Sequence, residues 1–199
     1  MVASPPIRIP HRLKVTDEQF WQLLNVNPDI RMERTAEGEL IIMAPTGSES
    51  GSFNLELSTD LAIWNRQTSL GVAFDSSTGF HLPNGATRSP DSSWVTKERW
   101  NALTPEQRRG FAPICPDFVL ELASLTDDIE ELRAKMREYL ENSSRLGWLI
   151  DLRTQQVEIY RISQSVEVLQ SPATLSGEDV LPGFVLSLNV IFDSNPQDG

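Results

Sequence analysis

Cysteine and histidine are nearly missing from this chain of 199 residues. The lone Cys115 excludes an intramolecular disulfide and cannot by itself build a cysteine metal site. His11 and His81 stand seventy residues apart. No Ser-His-Asp or Cys-His arrangement is readable from that spacing, and a histidine-rich zinc site is excluded. No apolar run approaches the roughly 20 residues of a membrane span. The opening Met1-Val2-Ala3-Ser4-Pro5-Pro6 lacks the apolar stretch of a signal peptide. A soluble, cytoplasmic protein is the expectation. The loop Gly47-Ser48-Glu49-Ser50-Gly51 lacks the lysine and the spacing of a phosphate-cradling loop.

Positive charge is also scarce. The chain carries 17 Lys and Arg against 28 Asp and Glu, a net charge of −11. That counts against broad, nonspecific adhesion to nucleic acid or anionic membrane, while leaving room for a local basic groove. Arg31, Arg34, Arg88 and Lys97 are scattered, and no Lys/Arg cluster appears.

What is present reads as one folded domain. Apolar residues make up 39% of the chain, and neither repeats nor low-complexity tracts interrupt it. Residues 1–15 are expected to form an irregular Pro-rich arm, 16–192 a single domain, and 193–199 a tail. Thr16 with Gln19 has the form of a capping box opening a short helix over Phe20, Trp21, Leu23 and Leu24. Strands are expected near 30–35 and 39–44, joined as a hairpin at Ala36-Glu37-Gly38. Phe53, Leu57, Leu61 and Trp64 share one face of a helix over 48–68. Strands near 71–75 and 79–82 follow. Asn84-Gly85 then signals a hairpin into a strand carrying Ser89-Pro90-Asp91 through Val95. Residues 97–112 read as a polar helical connection. A strand at 117–123, a helix over 127–142 and a strand at 148–150 make a βαβ candidate. A hairpin over 157–169 and an apolar tail ending at Phe192 complete the chain. The expected class is α/β with a mixed sheet flanked by helices and several β-hairpins.

Carboxylates occupy costly positions in this pattern. In Pro116-Asp117-Phe118-Val119-Leu120-Glu121-Leu122, alternation puts Asp117 and Glu121 on one face, but roughly 13 Å apart. They are too distant to bind one ion, so a partner for Glu121 must come from another strand, and Asp91 is the candidate. Two acids from adjacent strands can share Mg²⁺ with water. On the following helix, at about 100° per residue, Lys135 falls at the edge of the apolar stripe, where its stem can lie along the sheet. Glu131 and Glu138 fall further toward solvent. Glu49 lies near the apolar face of its helix and is a further candidate ligand. Each residue also has an ordinary reading: a solvent-facing strand acid for Glu121, a turn residue for Asp91, a strand-start cap for Asp117, a surface lysine for Lys135, and a helix-start acid for Glu49.

The ordered motifs Arg88-Ser89-Pro90-Asp91, Pro116-Asp117-Phe118-Val119-Leu120-Glu121-Leu122-Ala123-Ser124, Lys135 with Tyr139, Gly147-Trp148-Leu149-Ile150-Asp151, Val157-Glu158-Ile159-Tyr160-Arg161 and Leu181-Pro182-Gly183-Phe184 resemble a known family. It is the Uma-type endonuclease family, a domain-of-unknown-function group in the PD-(D/E)XK restriction-endonuclease-like superfamily. The resemblance spans residues 16 to 192. It implies a restriction-endonuclease-like mixed sheet with a metal-dependent phosphodiesterase site. Asp91 would match the first acid and Glu121 the second, with Mg or Mn held between them. Two features depart from the common pattern. The superfamily lysine stands two residues after the second acid, where this chain has Ala123. The resemblance puts its role on Lys135, fourteen residues after Glu121. Ser124-Leu125 replaces the usual Ser-Pro, which bears on the loop beside the site. Glu49 matches a helix acid found near such sites.

These matches imply a Mg²⁺-dependent DNA endonuclease without a membrane partner, and are compatible with a homodimer through the edge hairpin 157–169. A catalytically inactive nuclease-fold module for binding or assembly is the alternative, favoured by the net charge. A metal-dependent hydrolase acting on a small phosphate ester is the third reading.

Overall fold

A computed structural model of the chain describes residues 13–124 and 127–193. Most of the expected N-terminal arm, Leu125 and the tail beyond 193 lie outside those residues. Helix α1 (Asp17–Val26) opens on its capping box: the Thr16 hydroxyl accepts from the Gln19 amide, and the Gln19 side chain accepts from the Thr16 amide. Strands β1 (Met32–Arg34) and β2 (Leu40–Ile42) pair antiparallel. Helix α2 (Ser48–Thr68) buries Phe53, Leu57, Leu61 and Trp64, the stripe read from the sequence. After β3 (Gly71–Asp75), β4 (Phe80–His81) and β5 (Thr87–Arg88) form a hairpin around Gly85, whose φ of +87° suits glycine.

The single strand expected from Ser89 through Val95 is broken. Strand β5 ends at Arg88 in a sheet ordered β2-β1-β5-β4, whereas β6 (Ser92–Thr96) belongs to a separate six-stranded sheet. Pro90 has no amide to give to a ladder, so the chain crosses between sheets there. Helices α3 (Lys97–Ala102) and α4 (Pro105–Arg109) form the expected connection. Strand β7 (Phe118–Ala123), helix α5 (Ile129–Glu141) and strand β8 (Leu146–Asp151) form a βαβ unit with β7 and β8 parallel. Strands β9 (Gln156–Arg161) and β10 (Glu167–Gln170) extend the sheet antiparallel to its edge, giving the order β10-β9-β8-β7-β6-β3. The protein is therefore a mixed sheet flanked by helices. Strands β11 (Thr174–Ser176) and β12 (Val185–Ser187) pair, and α6 (Asn189–Asp193) follows, where the sequence suggested only an apolar tail. Strands of three residues are too short to show a period.

The two faces of the large sheet carry different cores. Phe118, Leu120 and Leu122 of β7 belong with Phe53, Leu57 and Leu61 of α2. Val119 and Ala123 belong with Met136 and Tyr139 of α5. Burying such a large side chain is worth roughly 1.5–3 kcal/mol. Gly147 lets α5 settle closely, since a Cβ there would stand 2.4 Å from Met136 Cε. Among the described residues no helix is long and apolar enough to cross a membrane.

Candidate active site

Alternation along β7 sends Glu121 to the α5 side, between Val119 and Ala123. The residue is 3% exposed, and a carboxylate so buried needs partners. Helix α5 supplies them. Lys135 Nζ lies 2.8 Å from Glu121 Oε1, and the Tyr139 hydroxyl donates to the same oxygen at 3.0 Å. Lys135 and Tyr139 are four residues apart and so share a helix face.

Glu33, which sequence reasoning passed over, completes the cluster from β1. It is buried, and its Oε1 lies 3.0 Å from Lys135 Nζ. It also accepts from Arg88 Nη1 at 3.2 Å and from the Ser89 amide at 2.8 Å. Lys135 donates to the Ser89 carbonyl at 3.3 Å. Arg88 reaches on to Glu138, which is therefore paired rather than turned to solvent as its helical angle suggested. The sequence around Glu33 gives no signal like that of Glu121, because β1 is three residues long with Arg31 and Arg34 beside it.

Asp91 sits at the bend before β6. Its Oδ2 accepts from the Leu122 amide at 2.8 Å, and its Oδ1 from the Asn54 amide at 3.2 Å. The β6–β7 register pairs Ser92 with Leu120. Asp91 comes one residue before that pairing begins, and its bond to the Leu122 amide holds it next to Glu121, whose carboxyl feels its charge. Glu49 is not drawn in. It is exposed in the first turn of α2, and among the described residues no hydrogen bond or ion pair ties it to Asp91, Glu121 or Lys135. The α2 residue beside Asp91 is Asn54, whose Oδ1 is buried without a partner. Asp117 serves the fold: it accepts from the Thr96 amide at 2.8 Å and pairs with Arg99 at 3.0 Å.

Burial pushes the Glu121 carboxyl up to about 8; the Lys135 charge pulls against that rise, and the Asp91 and Glu33 charges add to it. Burial raises Asp91 as well, against the Leu122 amide. Glu33 goes the other way: despite burial, Lys135 and Arg88 hold it below the ordinary carboxylate range. Lys135, despite burial, is held above its ordinary value by Glu121 and Glu33. The Lys135 and Glu121 shifts oppose each other, one favouring the charged amine and the other the neutral acid. We take Lys135 as charged, because two carboxylates flank it, with Glu33 its firm counter-ion. Asp91 and Glu121 are then the acids short of positive charge. Other buried acids pair with an arginine: Asp117 with Arg99, Asp151 with Arg153 and Glu158 with Arg133.

That deficit fits a cation. Two carboxylates, one of them held by the Asn54 side chain, are oxygen ligands of the kind that Mg²⁺ accepts alongside water and substrate phosphate. Among the described residues no group of three or more His, Cys, Asp or Glu is placed to hold a metal, so the protein does not offer a complete cage.

A family model, Uma2, described as "Putative restriction endonuclease", matches residues 17–189. A solved structure from Anabaena variabilis, described as a putative nuclease belonging to DUF820, is similar at a TM-score of 0.75 and 21% identity. The match covers 90% of this chain and 98% of that one, and at that identity it establishes the shared fold. No curated protein matches.

Proposed function

The chain belongs to the Uma2 family, and from that premise we propose that it is a metal-dependent endonuclease hydrolysing DNA phosphodiester bonds. The observation that carries this reading is the Lys135 amine 2.8 Å from Glu121, with Asp91 held by the amide of the next residue, Leu122. Asp91 and Glu121 would hold Mg or Mn, with the Asn54 side chain holding Asp91. Glu49 would act only through water. When bound, the ion supplies charge stabilisation at a phosphate oxygen and lowers the pKa of water. Tyr139 and Lys135 both engage Oε1 of Glu121, which leaves Oε2 for the cation. Lys135 then carries a second task, offering its amine to the attacking water or to charge growing on the phosphate. Glu33 and the Ser89 carbonyl fix the position from which it does so.

The purified protein should nick plasmid DNA with Mg²⁺ or Mn²⁺, and Glu121→Ala and Lys135→Ala should abolish nicking. Activity surviving both changes overturns the assignment. The second reading, a binding or assembly module, is favoured by the net charge of −11 and by an ion pair that already satisfies Lys135. No nicking under either metal selects it. The reading extends to a homodimer paired through the edge strand β10, whose Val168 is exposed, and sedimentation of Val168→Lys against the parent tests that pairing.

A further inference from the structure

A cleft of about 620 Å³ opens between α1, the loop entering β1 and the α3–α4 connection. Its walls are aromatic and cationic. Trp21 and Phe111 meet there with ring centres 5.4 Å apart and planes tilted by 50°. Arg31, Arg108 and Arg109 line it, and among the described residues no carboxylate does, on a chain whose acids outnumber its bases 28 to 17. Distance in sequence hides this set. Of the cations that looked scattered, Arg88 is buried in ion pairs and Arg34 is tied to the carbonyls of Val15 and Gly85, whereas Arg31 is brought beside Arg108 and Arg109.

The three arginines are weakly committed. Arg108 leaves its Nε buried without a partner, while its guanidinium sits 5.6 Å from the Trp100 ring centre and donates to the Asn101 carbonyl. Arg109 meets Glu106 only at 3.9 Å, and both are exposed. Such a pair contributes little. Arg31 touches the Ser76 hydroxyl at 3.5 Å and also borders the neighbouring cavity, where Asp29 and Asp75 stand, so it lies between the two. The cleft also reaches the candidate active site. Ser89 lines it, and the Ser89 amide and carbonyl hold Glu33 and Lys135.

We propose that this cleft binds an unpaired nucleotide of a single-stranded DNA segment, its base stacked on Trp21 and Phe111 and its phosphates on Arg31, Arg108 and Arg109. The choice of DNA rests on the nuclease reading; the slot itself does not. Pockets for ligands of this size run from roughly 300 to 1,000 Å³. Bases of any identity stack favourably on aromatic side chains, and only a base freed from its duplex presents its face. A net-acidic protein that repels long duplex DNA can still hold one or two nucleotides in a slot that no carboxylate of the described residues lines.

Fluorescence anisotropy with a labelled ten-residue oligothymidylate, in EDTA, tests the idea apart from catalysis. The wild type should bind the single strand at least tenfold more tightly than a duplex of equal length. With three phosphates engaged, the slope of log affinity against log salt should be about −2, falling by about 0.7 for each arginine removed. Trp21→Ser should cost tenfold or more, and Trp21→Phe, which keeps a stacking face, should restore most of it. Arg31→Ala with Arg109→Ala, both exposed and safe for folding, should weaken binding by a similar factor. Equal affinity for single and double strands, or the double arginine variant binding like wild type, overturns the proposal. Oligomer binding that obeys these rules without plasmid nicking leaves the cleft standing and overturns the nuclease reading instead.

Discussion

Replacing Glu121 with glutamine keeps the side chain's shape and removes its titration. The consequence can be worked out from the site. The folded carboxyl is pushed up to about 8, from an ordinary value of 4.5. It therefore binds its proton more tightly in the folded chain than in the unfolded one. The stability this gives is complete below pH 4.5 and is lost as pH rises toward 8. At 1.36 kcal/mol per pH unit, the loss across that window is at most about 5 kcal/mol. Glu33 carries the opposite sign. Held low by Lys135 and Arg88, it adds stability that is present above pH 4.5 and lost on acidification, outside the window. Lys135, held above its ordinary value, titrates well beyond it on the other side. In EDTA the wild type should thus lose stability between about pH 5 and 8, and Glu121→Gln should lose much less. For a domain of this size 1 kcal/mol moves the melting point by roughly 2–4 °C. The wild-type midpoint should fall by up to about 10–20 °C relative to the variant across the window. Thermal denaturation followed by tryptophan fluorescence reads this directly, and the difference between the two proteins cancels the titrating groups remote from Glu121. Magnesium should shrink the wild-type loss, because it binds the ionised carboxylate. At a hundredfold excess over its dissociation constant it adds about 2.7 kcal/mol. Parallel curves for wild type and Glu121→Gln in EDTA would refute both the buried charge and its role.

Four further outcomes follow from the same contacts. Lys135→Met should cut nicking by about 10²–10³ while magnesium binding, measured by calorimetry, is kept or tightened, since the cation loses a competitor. Glu33→Ala leaves Lys135 and Arg88 short of a counter-ion in a buried site and should cost about 3–5 kcal/mol in urea denaturation. Asp117→Asn should cost about 1.5–3 kcal/mol by the same measure, yet leave the nicking rate per folded molecule unchanged, because its partners Thr96 and Arg99 lie outside the site. Asn54→Ala should lower magnesium affinity by about tenfold, whereas Glu49→Gln, which among the described residues has no hydrogen bond or ion pair to the cluster, should change it less than twofold in the same titration.

How much of this could be read in advance depended on range. Helices α2 and α5 were legible because each repeats its apolar positions over several turns, and the βαβ unit followed from the order of the runs. Glu121 and Lys135 were legible together because one strand, one loop and one helix join them, and helical angle alone puts Lys135 at the edge of the stripe. Glu33 was not, because its partners Arg88 and Lys135 come from β5 and α5, far along the chain, and three residues of β1 show no period. Glu138 failed for a related reason. Its angle on α5 was read correctly, but nothing local shows that Arg88 covers that side of the helix. The break at Pro90 was invisible because two short strands in different sheets read as one.

The departure at Ala123 then has a physical explanation. Residue 123 shares the Glu121 face of β7, so a lysine there would begin on the correct side. In this fold that face is sealed by α5. Ala123 is fully buried and packs in the same core as Met136 and Tyr139. A lysine at 123 would need room under the helix, and a single added methylene in a packed core already costs energy. Lys135 approaches the same carboxylate from the opposite layer, with its stem beside the Tyr139 ring, which its amine meets at 6.0 Å from the centre. On the proposed reading the requirement is an amine within hydrogen-bond reach of Glu121, and α5 brings Lys135 there without disturbing the sheet. A double variant, Ala123→Lys with Lys135→Ala, should therefore fail to restore nicking and should melt below Lys135→Ala alone. Recovery of activity with an unchanged melting point would show that α5 does not close that face.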